Sequence, residues 1–200
     1  WSRGLGDVYK RQLSMYGCAT RSPSVGGNVA YGDSKQVESL TNEFGLTDLQ
    51  MMAETMTGSL LTSSLIANST AKPVITVQEI KNKTSEHINT KQITDKIKVK
   101  LGKSNSVTFA RDANADAGAM SELQRQNQSG LYARNKTAKV GKAQGAQYLL
   151  YGDITSIVKR AGDIKNIDYT LTLQLDDIEQ GVTVWSEEKE IRKTSERSTF

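Results

Sequence analysis

The clearest alternation of hydrophobic and polar residues lies in the last third of the chain. Every second residue from 167 to 175 is apolar, the period of a strand with one buried face, and these residues are Ile167, Tyr169, Leu171, Leu173 and Leu175. Segments 148–158 and 182–191 predict further strands. Turn residues at 161–163 and 179–181 separate the three strands, so we predict an antiparallel meander.

Nearer the start of the chain, a helix is predicted to begin at Thr47. Gln50 follows three residues later, which is the spacing of a capping box. Apolar residues then recur at helical spacing: Leu49, Met52, Ala53, Met56, Leu60 and Leu61. Polar residues 68–70 end this helix, and Pro73 opens a short, mostly β-branched strand over 74–80.

A second helix is predicted from the residue that caps it, Asn89, to Gly102, which ends it. Its inner stripe consists of Ile93, Ile97 and Leu101. A short strand follows over 107–111. Shorter helices are predicted over 136–144 and over 116–126, and the inward-facing residues of the latter are Met120 and Leu123.

This order of elements predicts an α+β fold with one domain. Strand–helix–strand units before a meander give a mixed β-sheet ending in an antiparallel meander, flanked by about four helices. The globular domain is expected over 47–193, followed by a polar C-terminal tail over 194–200. Residues 19–46 hold few large apolar groups and are expected to form a flexible N-terminal tether that adds nothing to the core.

The first residues of the chain suggest an anchor. Residues 1–17 are interpreted as a non-native leader followed by a signal-peptide remnant, and are left out of the fold. Gly17 and Cys18 then match the end of a bacterial lipobox, although Tyr16 stands where a small residue is usual. We predict lipid attachment at Cys18, so that 18–46 is a lipidated tether, over the alternative of a free thiol. The sequence has no run of the ~18 apolar residues that a spanning helix needs.

Composition limits the kinds of catalytic and metal site that the chain can form. The chain has 26 Lys and Arg against 22 Asp and Glu, with one cysteine and one histidine, His87. It contains no glycine-rich phosphate loop and no nucleophile elbow. A His-based metal cluster is excluded. We therefore predict a binding protein rather than an enzyme, with no cofactor, no metal and no nucleic-acid partner.

The second predicted helix is rich in lysine. Outside its apolar stripe it carries Lys91, Lys96, Lys98, Lys100 and Lys103. These lysines are either a solvated face or a docking surface for an acidic partner. The candidate partner-binding residues are Lys96, Lys100 and Lys103. The alternative binding surface is the polar face of the meander around Thr170, Thr172 and Gln174.

Three segments carry a resemblance to a known family. Residues 73–84 (PVITVQEIKNKT), 145–152 (GAQYLLYG) and the stretch from 171–175 (LTLQL) to 181–186 (GVTVWS) resemble the LpoB family in order and spacing. The resemblance implies a fold related to the N-terminal domain of TolB and to CsgG. It also implies an outer-membrane lipoprotein on the periplasmic side. Such a protein activates a bifunctional penicillin-binding protein of the 1B type through that synthase's UB2H domain, regulating peptidoglycan synthesis, without a catalytic residue of its own.

One departure leaves the partner open. The best-known members have a long proline-rich tether, whereas the tether here is shorter and holds one proline, Pro23. A lipoprotein of the same fold that serves another envelope assembly or secretion system is therefore the alternative, and a hydrolase with unrecognised residues is a third. In each case a monomer is expected.

Overall fold

The computed structural model describes residue 37, residues 42–110 and residues 116–196. Over these residues the chain forms four helices and six strands. In chain order they are α1 (Leu46–Thr62), α2 (Ser64–Ala67), β1 (Val74–Val77), β2 (Lys81–Asn82), α3 (Thr90–Ser104), β3 (Thr108–Phe109), α4 (Asp116–Gln128), β4 (Tyr148–Ala161), β5 (Ile164–Asp177) and β6 (Val182–Glu196). The predicted α+β class is confirmed.

The sheet is mixed, as predicted. Its described strands lie in the order β3-β1-β4-β5-β6, and the short β2 pairs with β4 beyond the end of β1. β1 runs parallel to β3 and β4, whereas β4, β5 and β6 pair antiparallel. The meander strands are 14, 14 and 15 residues long, well above the usual ~5–6. The meander is therefore the frame of the domain.

The hydrophobic core lies on one face of this sheet. The alternation predicted for β5 is confirmed, since its five apolar residues from 167 to 175 are at most 2% exposed. On β6, Trp185 lies opposite Leu175, is half-buried and packs against the same core. Helices α1 and α3 contribute the other large buried side chains, which include Met52, Met56, Leu60, Ile93, Ile97 and Leu101.

The start of α1 and the end of α3 differ from the prediction. The N-cap of α1 is Gly45, whose backbone N–H donates to the Asp48 carboxylate at 2.8 Å. Asp48 closes the cap because it stands at the third helical position, so Thr47 is not the cap. Helix α3 continues through Gly102 to Ser104, and its C-cap is Asn105, which adopts the left-handed conformation with a φ of 56°. Asparagine tolerates that conformation, so a glycine is not needed there.

The predicted helix over 136–144 is wrong. Residues 131–147 form turns and irregular backbone, and Gly130 and Gly141 take left-handed φ values of 70° and 78°. Helix α4 was predicted at the right place, but Met120 is 46% exposed rather than inward. The segment has too few apolar side chains to bury a helical face against the core. The predicted strand over 107–111 is only β3, and its last residue lies outside the described part of the chain.

The folded domain is wider than the expected 47–193. Phe44 packs against the core, with its ring edge-on to Tyr169 at 5.5 Å. The Asn42 amide donates to the Ser195 hydroxyl at 2.8 Å, and β6 extends to Glu196. Residues 42–45 thus belong to the domain rather than to the tether, because an aromatic side chain among them finds a buried site. The rest of the predicted tail, 197–200, and most of the predicted tether lie outside the described residues.

Candidate interaction surfaces

Helix α3 presents the lysines that the sequence singled out. Its buried stripe fixes the side that faces the core, and Lys96, Lys100 and Lys103 follow one another at spacings of four and three residues. Residues at these spacings lie on one side of a helix. The structure therefore brings the three predicted lysines together in a ridge beside the buried stripe.

The three lysines of this ridge differ in how far their charges are open to a partner. The Lys100 ammonium lies 2.7 Å from the Glu54 carboxylate of α1, and its side chain is 29% exposed. Lys96 is half-buried and Lys103 is exposed. On another side of the helix, Lys91 pairs with Asp95 at 2.6 Å. Lys103 is the member of the ridge that faces solvent most fully, and Glu54 offsets the charge of Lys100.

A polar cluster ties residues 42–48 to the sheet. The buried Tyr169 hydroxyl donates to the Glu86 carboxylate at 2.6 Å, and Phe44 donates its backbone N–H to the same carboxylate at 3.2 Å. Burial, followed by the hydrogen bond to Glu86, raises the pKa of Tyr169 far above its ordinary value. The Lys193 ammonium on β6 donates to Asp48 at 2.9 Å and to the carbonyl of Glu43 at 2.6 Å.

A cleft of about 460 Å³ opens beside this cluster, lined in part by Phe44, Glu86 and His87. His87, the histidine that the sequence assigned to the surface, is exposed on the loop before α3. The Glu86 carboxylate already accepts the two hydrogen bonds of the cluster. The cleft is thus bounded by a carboxylate engaged in holding the fold.

The described residues provide neither a metal-binding cluster nor a membrane-spanning helix. Among the described residues, no group of three or more His, Cys, Asp and Glu side chains is arranged to hold a metal ion. Within the same part of the chain, every helix is too short or too polar to cross a bilayer. Cys18, the predicted lipid-attachment residue, lies outside the described residues.

The outer face of the meander is polar and half-exposed. Thr170, Thr172 and Gln174 lie on it, as the alternation predicted. Here the Arg192 guanidinium contacts Asp168 across the strands at 2.5 Å and lowers the pKa of that carboxyl group. The face therefore holds cross-strand pairs typical of a solvated sheet.

Sequence reasoning missed the segment that joins α4 to β4. We call residues 129–147 the basic arm, and it carries Arg134, Lys136, Lys139 and Lys142. Its Leu131 is 80% exposed and its Val140 is 70% exposed. The signal that could have found it is charge, because the sequence has no Asp or Glu from 123 to 152. Assigning part of it to a helix hid this pattern.

Comparison with known proteins identifies the family. A protein-family model described as the peptidoglycan-synthase activator LpoB matches residues 48–191. The chain belongs to the LpoB family. This confirms the family that the three sequence segments indicated, and the matched region covers nearly all of the described domain.

Solved structures of LpoB are among the structures to which this chain is similar. The C-terminal domain of LpoB from Escherichia coli is 21% identical with a TM-score of 0.45, and the match covers 72% of this chain and 98% of that one. For the domain from Salmonella enterica the values are 19%, 0.44, 72% and 98%. The NMR structure of E. coli LpoB is 18% identical, with a TM-score of 0.42, and 98% of this chain and 91% of that chain are covered. A comparison with curated protein sequences finds no match.

Proposed function

We propose that this LpoB-family chain is an outer-membrane lipoprotein that binds a bifunctional penicillin-binding protein of the 1B type through its UB2H domain and stimulates it. The family match over residues 48–191 carries the proposal, because it spans the folded part of the chain rather than an isolated motif. The chain acts in this proposal by binding, with the synthase supplying the chemistry of glycan polymerisation and peptide cross-linking.

The test is reconstitution with purified proteins. The full chain is added to a 1B-type synthase, and glycan polymerisation and cross-linking are measured with the intact synthase and with a variant that lacks the UB2H domain. We expect stimulation of the intact enzyme and none of the variant. Equal rates with and without the chain contradict the proposal. Recovery of another envelope assembly in a pull-down, in place of the synthase, favours the alternative of a different partner.

The anchor is part of the same proposal. Cys18 follows Gly17 and precedes a polar segment, and we propose that it carries the lipid. In a chain expressed behind a native signal peptide, Cys18→Ala should move the protein from the membrane fraction to the soluble fraction. Ser14→Ala, four residues earlier, is the matched control and should leave the protein on the membrane. A Cys18→Ala variant that stays on the membrane places the anchor elsewhere.

The α3 ridge is the proposed docking surface on the helical layer. Because Glu54 already pairs with Lys100, we expect Lys96 and Lys103 to contribute most of the attraction to an acidic partner. Such attraction acts mainly on the rate of association and weakens with salt.

Replacing Lys96, Lys100 and Lys103 with Gln tests the ridge, and the association rate with the synthase is measured at low and moderate salt. The matched control replaces Lys159 and Arg160 at the end of β4 and Lys165 at the start of β5 with Gln, so the net charge changes equally. We expect slower, less salt-dependent association for the ridge variant alone. Equal rates for the two variants contradict a ridge that docks.

A further inference from the structure

The basic arm is unusually long for a connection inside a small domain. It spans 19 residues from 129 to 147 without a helix or a strand, where connections longer than about 12–15 residues are uncommon and are often functional. Its backbone follows turns, one of them closed by the bond from Lys136 N–H to the carbonyl of Ala133 at 2.9 Å. Nearly all of its residues are exposed, so packing against the core does not account for its sequence.

The arm carries charge of one sign. It contains four cationic side chains and no carboxylate. The acidic residues near its end are the last two of β5, where Asp176 accepts from Thr183 at 2.7 Å and Asp177 accepts the backbone N–H groups of Glu179 and Gln180, each at 2.9 Å. These hydrogen bonds come from neutral donors and leave the charge of the carboxylates in place, but the arm itself holds four cations and no carboxylate. The arm therefore presents a local positive potential, which attracts an anionic surface.

The arm also exposes apolar side chains. Leu131 and Val140 are 80% and 70% exposed, and the Arg125 guanidinium lies 5.1 Å from the centre of the Tyr132 ring beside them. Isolated apolar side chains are ordinary on a surface, but here they lie on the same loop as four cations. Such a mixture can contact a partner through apolar atoms while its charges steer the approach. Two aliphatic side chains are too few to hold a membrane surface by insertion, so the mixture favours a protein partner.

The arm is held at its ends and in its middle. At its start, Ser129 N–H donates to the carbonyl of Arg125 at 3.2 Å. In its middle, Ala138 accepts from the Asn127 amide at 2.9 Å, and its N–H donates to Gln126 at 3.0 Å. At the sheet, Gln147 N–H donates to the carbonyl of Val74 at 2.8 Å. A loop fixed at its ends and middle loses less entropy on binding than a free one.

The basic arm and helix α3 both lead to the same end of the strands. β1, β3 and β4 are parallel, so all three begin at that end of the sheet. The arm leads into the start of β4, and α3 leads through Asn105 toward the start of β3. The Lys72 ammonium just before β1 donates to the Asn105 side chain at 2.6 Å. The C-terminal end of the arm therefore lies at the same end of the parallel strands as the end of α3 that carries Lys103.

We propose that the basic arm, residues 129–147, docks on an acidic, partly apolar protein surface of the synthase that this chain activates. The proposal rests on the proposed function and adds to it the surface that makes contact and the chemistry of the surface that receives it.

The test uses the full chain and a purified 1B-type synthase. In the arm variant, Arg134, Lys136, Lys139 and Lys142 are replaced with Gln. In the control, Lys81, Lys159, Arg160 and Lys165 are replaced with Gln, which removes the same charge elsewhere on the surface. We expect the arm variant to bind at least about tenfold more weakly at low salt, with a smaller dependence on salt, and the control to bind like the wild type.

A second variant tests the apolar contact. Replacing Leu131 and Val140 with Ser leaves the charge unchanged, and should weaken binding several-fold at a salt concentration that screens the cations. Unfolding midpoints in urea should match that of the wild type for both variants, because the replaced side chains are exposed. A loss of binding that follows a loss of folding overturns the assignment of the arm to docking.

Four further results overturn the proposal in distinguishable ways. Binding by the arm variant equal to that of the wild type removes the arm from the interface. Equal weakening by the arm variant and the control shows that overall charge acts, rather than this surface. If instead the wild type binds vesicles containing anionic phosphatidylglycerol and the arm variant loses only that binding, the arm contacts membranes. A wild-type chain that binds no synthase overturns the proposed function and, with it, the partner assigned to the arm.

Discussion

At Gly152 the sheet leaves no room for a side chain. Gly152 lies on β4 opposite Leu173, and a Cβ atom built there would stand 2.1 Å from the carbonyl oxygen of Thr172 and 2.7 Å from the Leu173 side chain. The obstructing oxygen belongs to the backbone, so it cannot move away as a flexible side chain can. The sequence predicted a strand through this residue but gave no sign that its neighbour approaches so closely.

We predict that Gly152→Ala destabilises the domain by about 3 kcal/mol, near the upper end of what overpacking costs. The measurement is urea unfolding followed by circular dichroism. Gly58→Ala is the matched control, since a Cβ at Gly58 in α1 has nothing within 4 Å and should stabilise the helix by about 0.5–1 kcal/mol. Similar midpoints for Gly152→Ala and the wild type would mean that β4 and β5 separate at no cost.

Tyr169 makes stability depend on pH. Its hydroxyl donates to Glu86, and burial raises the pKa of the phenol above its ordinary value of about 10. Above pH 10 the unfolded chain loses this proton while the folded chain keeps it, so the unfolded state binds fewer protons and stability falls as the pH rises. We predict that Tyr169→Phe costs about 1–3 kcal/mol at pH 7, because Glu86 loses a donor.

The same variant should respond less to alkali. Urea midpoints measured between pH 9 and 11 should fall less steeply for Tyr169→Phe than for the wild type, since Phe has no proton to release. Parallel slopes would show that Tyr169 titrates alike in both states. Periodicity predicted that Tyr169 is buried. It could not predict Glu86 as its partner, because the contact joins residues 83 positions apart in the chain.

At the scale of elements, prediction succeeded where one face is buried. α1, α3 and β5 have apolar residues at the period of their backbone, and all three were predicted close to their observed positions. The segment 136–144 has helix-forming lysines and alanines but no apolar stripe, and it forms no helix. Propensity without a buried face does not hold a short helix together.

The leading segment, residues 42–45, was assigned to the tether because it is short and mostly polar. Its contribution comes from one aromatic ring and from long-range contacts: Phe44 packs on Tyr169, Asn42 bonds Ser195, and Lys193 bonds the carbonyl of Glu43. Composition averaged over 19–46 does not detect a single anchoring residue. The polar character of the segment therefore gave the wrong boundary for the domain.

We predict that a chain beginning at residue 46 is less stable than one beginning at residue 42 by about 2–4 kcal/mol, through the loss of a partly buried aromatic side chain and of the α1 cap. Urea unfolding of the two chains measures the difference. Phe44→Ala in the longer chain should reproduce most of this loss of stability. Glu43→Ala should reproduce little of it, because the Glu43 backbone makes the contact with Lys193. Equal stability of the two chains would return 42–45 to the tether.

Different segments of the described chain differ in how deeply they are buried, and therefore in how stable they are. β5 is hydrogen-bonded on both sides and its inner residues are fully buried, whereas α4 and the basic arm, within their described residues, contribute no side chain to the buried core. Amides in the most buried strands open only when the domain unfolds, and amides in an exposed loop open freely. The family and the mixed sheet could be predicted from the sequence, since they follow from segment order. The division between a rigid frame and an exposed arm could not, because it depends on which segments find the core.

Hydrogen exchange tests this division and the docking surface together. In the free chain, amides of β5 around Leu171 should exchange slowest, and amides of 131–145 other than the hydrogen-bonded Lys136 and Ala138 should exchange within seconds. On addition of a 1B-type synthase, we predict slower exchange within 131–145 and at the end of α3 around Lys103, with no change in β5. The reason is that binding buries the arm without altering the frame. Slow exchange of the arm in the free chain would contradict its exposure, and protection confined to the outer face of the meander, around Thr170 and Thr172, would move the interface there.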